Sequence, residues 1–271
     1  MISFTPSGAI LLGVFSLLFV HCSQQKAQKN IQLVKQIETV EFGGAYIFSD
    51  KTGNVLEKWG GKETIYFYDD MIMHQIPVLR SKSAFRPENG ELVKVMDSVL
   101  PSSSSYVVFK ADNDSIAFSY DSVQGPITDT ISVEKFLSNN FRRFGKNFKD
   151  NSNQILISGD KNSNVITEKY IYQEKKDNSY PDTAYYTFRK DHNNLRFSIS
   201  PSLDSLKKMK LVKLNLIFNP APQGKDTSLR LERQITIEME KKQVQDPALI
   251  IALFNRFAKD RAAYVPRKQN Q

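Results

Sequence analysis

The 271-residue chain contains one cysteine, one tryptophan and three histidines. With a single thiol at Cys22, no intrachain disulfide, redox pair or thiolate metal site can form. Histidine is almost as scarce: His21 lies beside the cysteine, and only His74 and His192 remain for acid–base or metal chemistry in the body of the chain. No Gly-rich phosphate loop is present. Long apolar runs are missing too, the apolar core from Ala9 to Val20 being twelve residues, shorter than the ~20 that span a bilayer. Disorder is excluded by composition, because 40% of residues are hydrophobic and 11% aromatic, with 18 Phe and 11 Tyr. A chain of this size can hold together by core burial alone.

The run AILLGVFSLLFV has the length of a signal-peptide core, and it passes through His21 and Cys22 into the polar segment SQQKAQKN. This region resembles a bacterial lipoprotein signal, in which an apolar core leads to a cysteine that is lipidated and becomes the mature N-terminus. The resemblance covers about the first tenth of the chain. It implies a signal peptide over residues 1–21, lipidation with palmitate at Cys22, and a membrane-anchored protein of the cell outer membrane that faces the periplasm. Two alternatives stand beside it: a conventional signal cleaved before Ser23, giving a secreted or periplasmic protein, and an uncleaved anchor. Residues 22–43 are expected to form the lipidated cysteine and a polar tether, and residues 44–271 a β-rich globular region that divides into two halves near 150.

The formal charge of +8 lies in the mature part. Lys and Arg are spread along the chain, and the densest group, Lys207, Lys208, Lys210 and Lys213, is a small patch read as solvated surface. Export and the absence of a recognition motif exclude nucleic acid as a partner.

The fold class expected is α+β, predominantly antiparallel β-sheet with two docked helices, at about 132–144 and 247–261. AYIFS and VLEKW flank the turn signal DKTGN and predict a hairpin. The chain is expected to break at Gly60 and Gly61 and to restart as a strand over Thr64 to Tyr68. Pro77 predicts an edge position or a bulge for MIMHQIPVL. YVVFK and SIAFSY predict a second hairpin. LRLERQITIEMEK has the clearest period of two, with Leu229, Leu231, Ile235, Ile237 and Met239 on one face, and KLVKLNLIF is its expected partner. NVITEKYIYQ, TAYYTFRK and LRFSIS predict further strands. SVEKFLSNNFRRF starts on Ser132 as N-cap, and DPALIIALFNRFAKDRAA on Asp246 with Pro247 in the first turn.

Tempting motifs dissolve on inspection. Asp160, Asn162 and Asn164 have calcium-loop spacing, but Val165 stands where glycine is required and Ile171 where glutamate is, so a turn is expected. Ser205 to Lys208 copies a hydrolase spacing that recurs at Ser23, Ser132 and Ser158. His74 is read as a packing residue and His192 as a turn residue. Asp69 and Asp70, as strand neighbours, would point to opposite faces. No catalytic, metal or cofactor site is expected, and the residues name no ligand-binding site.

The function expected is that of a non-enzymatic envelope protein that binds a protein or glycan partner. An alternative is a carrier of acyl chains in a half-barrel cavity, analogous at fold level to the lipoprotein-localisation proteins of the periplasm. A third is a hydrolase with an unrecognised site. A cavity lined by many Phe and Tyr with no clustered polar groups would favour the carrier, a flat aromatic patch the binder, and buried convergent carboxylates near His74 or His192 the enzyme.

Overall fold

The computed structural model describes residues 37–50, 52–88, 91–111, 114–138, 154–173, 180–219 and 232–264. Eleven strands run antiparallel: β1 (Glu38–Ser49), β2 (Val55–Tyr68), β3 (Met71–Glu88), β4 (Glu91–Lys110), β5 (Ile116–Tyr120), β6 (Ile127–Ser132), β7 (Gln154–Lys161), β8 (Val165–Tyr172), β9 (Thr183–Arg189), β10 (Lys210–Phe218) and β11 (Glu232–Lys241). They form one sheet in the order β6-β5-β4-β3-β2-β1-β11-β10-β9-β8-β7. The expected halves on either side of 150 are therefore the two flanks of a single sheet, joined where β1 pairs with β11. Among the described residues three α-helices accompany it: α1 (Val133–Leu137), α2 (Pro201–Lys207) and α3 (Pro247–Ala263).

Several expectations need correction. β1 begins at Glu38 with Val40 and Phe42 buried, so residues 38–43 belong to the sheet and not to a tether. β2 does not break at Gly60–Gly61. These glycines pair with Ala45 and Gly44, and a Cβ at Gly60 would stand 2.2 Å from the Gly44 carbonyl oxygen and 2.8 Å from the Ala45 Cα. Glycine is used here for close approach of two backbones, which leaves the strand intact. Asp69 and Asp70 form the β2–β3 turn, Asp69 at φ 49°, and the Asp70 carboxylate accepts from Lys110 Nζ at 2.9 Å. Residues 195–200 form no strand. Their alternation is real, since Leu195 and Ile199 are buried, but the segment packs across the sheet instead of pairing within it.

Pro77 explains itself in the register. β3 pairs with β2 only through Gln75, opposite Thr64, whereas it pairs with β4 from Met71 to Glu88. The proline thus lies just past the last β2 partner and one residue before a register shift at Val78/Leu79 in the β3–β4 ladder.

The two faces of the sheet are covered differently. Along β2, Tyr66 packs with α3, together with Met73, Phe118 and Tyr120 and the helix residues Ile250, Leu253, Phe254 and Phe257. Its neighbours Ile65 and Phe67 point the other way and join Val40, Tyr186, Phe188, Leu211, Leu214 and Ile237. α3 forms as its sequence predicts: Asp246 Oδ1 accepts from the Leu249 N–H at 3.0 Å, Pro247 opens the first turn, and the apolar stripe is buried. Arg256 and Arg261 tie it down, the first through donation to the carbonyl oxygens of Ser122 and Val123, the second to the buried Asp114 at 2.8 Å. α1 starts on the Ser132 hydroxyl, which accepts from the Lys135 N–H. It buries Val133 and Phe136 against Val107 and Phe109, on the face opposite α3. The remainder of the expected helix, with Phe141 and Phe144, lies outside the described residues, as do Cys22, Leu229 and Leu231.

Candidate functional site

On the face opposite α3, strands β7, β8 and β9 present aromatic and polar side chains beneath α2. Pairing sets this up: Tyr170 lies opposite Ala184, and Glu168 opposite Tyr186, while Gln154 and Leu156 of β7 lie opposite Tyr172 and Tyr170. Directly opposed residues of an antiparallel ladder share a face, so these side chains collect on one side. Tyr170 meets Tyr186 edge-on at 5.2 Å between ring centroids, and Tyr186 stacks on Phe188 at 6.4 Å.

α2 covers this surface without sinking into it. Pro201 occupies its first turn, and Lys208, at φ 54°, ends it in the left-handed region. Asp204 anchors it at both edges, accepting from the Ser198 hydroxyl at 2.6 Å and from the Leu211 N–H at 2.7 Å. None of its side chains is buried, Leu203 being half-buried against the core and Leu206 73% exposed. Between helix and sheet lies a cavity of about 160 Å³, lined by Tyr170, Tyr186, Phe188, Leu203, Leu206 and, at its edge, Gln154 and Lys207.

The polar groups at that edge are joined to one another. Lys207 Nζ stands 2.6 Å from Glu168 Oε1, and the Tyr170 hydroxyl donates to Glu168 Oε2 at 2.8 Å. Gln154 Nε2 donates to the hydroxyls of Tyr172 and Tyr186. Burial works against the Lys207 charge, but the Glu168 carboxylate and the Tyr170 oxygen outweigh it and hold the ammonium above the usual lysine range. Burial pushes the Tyr186 hydroxyl well up, and burial together with the Glu168 contact does the same for Tyr170.

The residues singled out from sequence fall elsewhere. His74 is buried between Phe109 and Phe136, at 5.8 and 5.0 Å between ring centroids, with Nδ1 3.4 Å from Glu63 Oε2. His192 closes a 3₁₀ turn and approaches Asp191 Oδ1 at 3.0 Å. No cluster of three or more metal-ligating side chains occurs among the described residues. Asn162 Oδ1 accepts from the N–H groups of Asn164 and Val165, as a hairpin turn requires. The lysine patch is dispersed: Lys207 pairs with Glu168, Lys210 with Asp204 at 3.3 Å and Lys213 with Glu238 at 3.8 Å.

A second concavity lies on the other face, around Gly43, Gly44, Gly60 and Gly61. Its flanks carry exposed ion pairs from Lys62 to Glu41 and Glu238, at 2.9 and 3.1 Å. It is lined by glycine backbone and exposed lysine and glutamate side chains, whereas the space under α2 is lined by tyrosine, phenylalanine and leucine side chains.

No protein-family model matches the chain, and no curated protein matches it. Among solved structures, a LolA superfamily protein from Nitrosomonas europaea aligns over 81% of this chain and 94% of its own, at 10% identity and a TM-score of 0.22. That score is too low to carry an argument about fold or function. Among the described residues no helix is long and apolar enough to cross a membrane.

Proposed function

We propose that this chain is a non-enzymatic envelope carrier, anchored through Cys22 in the outer membrane, that holds the end of an acyl chain or a similarly slender apolar ligand beneath α2. The observation that carries the reading is the aromatic cavity of about 160 Å³ under a helix that buries none of its own side chains. Its volume corresponds to about five groups of water or methylene size, at roughly 30 Å³ each. A longer chain would leave past Leu206 and Leu156, which are 73% and 51% exposed. The polar groups at the edge already satisfy one another, an arrangement that suits retention more than chemical attack.

Burying a methylene is worth about 0.8 kcal/mol, or roughly a fourfold gain in affinity. Displacement of the neutral fluorophore N-phenyl-1-naphthylamine by straight-chain alcohols should therefore improve roughly fourfold per carbon until about five carbons are enclosed, then flatten. Leu206→Glu, at an exposed position, should weaken binding throughout the series and leave the thermal unfolding curve in place. No binding, or affinity independent of chain length, would overturn the proposal.

A second reading, a protein-binding surface, draws on the β1–β2 hairpin, where Tyr46, Val55 and Leu56 are exposed at 39%, 59% and 58%. Leu56→Glu separates the two, since it should leave alcohol binding intact and disrupt only association with a partner.

A further inference from the structure

The Lys207–Glu168 pair gives the cavity a polar end. We infer that the ligand is an anionic single-chain amphiphile whose headgroup takes the place of the Glu168 carboxylate on Lys207. This rests on the carrier reading and adds the charge of the ligand to it.

The pair joins two unequal partners. Glu168 is the deeper, with 10% of its side chain exposed, and the Tyr170 hydroxyl would continue to serve it if the lysine moved away. Lys207 is 25% exposed and stands in the last turn of a helix with no buried side chain. It is a compact charge on a flexible four-carbon stem, so its ammonium can swing to a new anion without moving the helix. The Lys207 ammonium also lies 5.9 Å from the centre of the Phe188 ring, a wall of the cavity, which places the charge where an enclosed chain would end. The nearby groups add donors: the Gln154 amide and the hydroxyls of Tyr172 and Tyr186 form one linked set, able to complete the shell of a carboxylate or phosphate oxygen. Against a cationic headgroup the site offers one carboxylate, already engaged by two donors, with an ammonium beside it.

The competition has a readable consequence. Glu168 is an internal rival of the ligand, so removing its charge should strengthen anion binding, whereas a purely structural ion pair would show the opposite or nothing.

The test compares decanoate, decanol and decyltrimethylammonium, one chain with three head charges, each below its micelle concentration, on the full-length protein. Decanoate should bind best and the cation worst. Glu168→Gln, which keeps an acceptor for Tyr170, should raise the decanoate-to-decanol affinity ratio at least tenfold. Lys207→Met should bring that ratio to one or below, and Lys207→Arg should retain it. Circular dichroism melting of each variant separates a lost site from a lost fold, and Lys207→Arg against Lys207→Met keeps the test decisive if Glu168→Gln does not fold. Equal binding of the three probes, or a ratio that Lys207→Met leaves unchanged, would overturn the inference while the carrier reading stands. Failure of all three to bind would overturn both, and preference for the cation would assign the headgroup to Glu168 instead.

Discussion

Adjacent residues of β11 offer a sharp test of the two-faced sheet, because Ile237 and Glu238 are neighbours in the chain and occupy opposite sides of the strand. Ile237 is 1% exposed, lies between Leu214 of β10 and Gly44 of β1, and belongs to the main apolar cluster. Ile237→Ala deletes three carbon atoms, which at about 0.8 kcal/mol each gives about 2.4 kcal/mol before any cavity cost. The site cannot collapse easily, since its β1 neighbour is a glycine: a Cβ at Gly44 would itself stand 4.0 Å from Ile237 Cγ1. A total of about 3–4 kcal/mol is therefore expected, inside the range for such truncations, or a fall of roughly 6–16 °C in Tm for a chain of this size. Glu238 reaches Lys62 at 3.1 Å and Lys213 at 3.8 Å, and both lysine side chains are about half exposed. Exposed pairs of this kind are worth about 0–1 kcal/mol, so Glu238→Ala should move Tm by about 4 °C at most. Urea unfolding followed by far-ultraviolet circular dichroism measures both losses, with an unchanged slope to show that the same surface is being exposed. Comparable losses at the two positions, or a larger one at Glu238, would refute the facing of β11 and with it the assignment of the cavity to one side of the sheet.

Two further outcomes are expected. Labelled palmitate should enter the wild-type protein, and Cys22→Ala should abolish both labelling and membrane retention; unlabelled, soluble wild type would leave the carrier without its anchor. Burial pushes the Tyr66 hydroxyl up to about 12, with Tyr106 adding to the effect, and burial raises Tyr120 and Tyr186 as well. These hydroxyls are protonated in both states below about pH 10, so their contribution is intact there. Above it the unfolded chain releases protons first, and stability falls as pH rises from about 10 through 12. Tyrosinate absorbance should accordingly lag in part behind free tyrosine and complete only as circular dichroism reports unfolding; full ionisation of a still-folded protein would contradict the burial of these rings.

What the sequence made legible follows from how each element is stabilised. β11 buries Ile237 and Met239 between more exposed polar residues, so alternation marked it; β10 alternates in sequence, although Leu211 and Val212 are both buried where its register shifts; and α3 carries a cap, a proline and a buried stripe within one stretch. β4 gave a signal only at its end, YVVFK, which pairs with β5 as expected. It includes Pro101 and four consecutive serines, and it is a strand because β3 runs beside it for its whole length. Residues 195–200 show the opposite case, alternation without pairing: Leu195 and Ile199 pack inward, while the Arg196 N–H donates to Glu38 Oε1 at 2.7 Å and its guanidinium lies over the Phe67 ring. Periodicity reports burial, and pairing needs a neighbour with a free edge. α2 was invisible for a related reason. A seven-residue helix with no buried side chain has no stripe to find. The cavity was harder still, because Gln154, Tyr170, Tyr186 and Lys207 come from four separate segments brought together only by the strand order.

The contrast between α3 and α2 bears directly on function. α3 buries Ile250, Leu253, Phe254 and Phe257 almost completely, and Phe257 meets Phe118 edge-on at 5.7 Å. A helix docked in this way fills the space beneath it. Displacing it would expose four large side chains at about 1.5–3 kcal/mol each, a cost that no small ligand of moderate affinity could meet. α2 is held instead by Asp204, which accepts from the Leu211 N–H and pairs with Lys210 at 3.3 Å, and by the Lys207–Glu168 pair, and its apolar contribution to the space beneath comes from the half-buried Leu203 and the edge of Leu206. The same sheet thus carries one helix that completes a core and another that leaves a core incomplete. Interiors are ordinarily packed to the density of organic crystals, and here two tyrosine rings and a phenylalanine are left with unfilled space under a loosely seated helix. Contacts absent from that space are available to a ligand, and the groups at its edge determine which headgroup can accompany the chain that fills it.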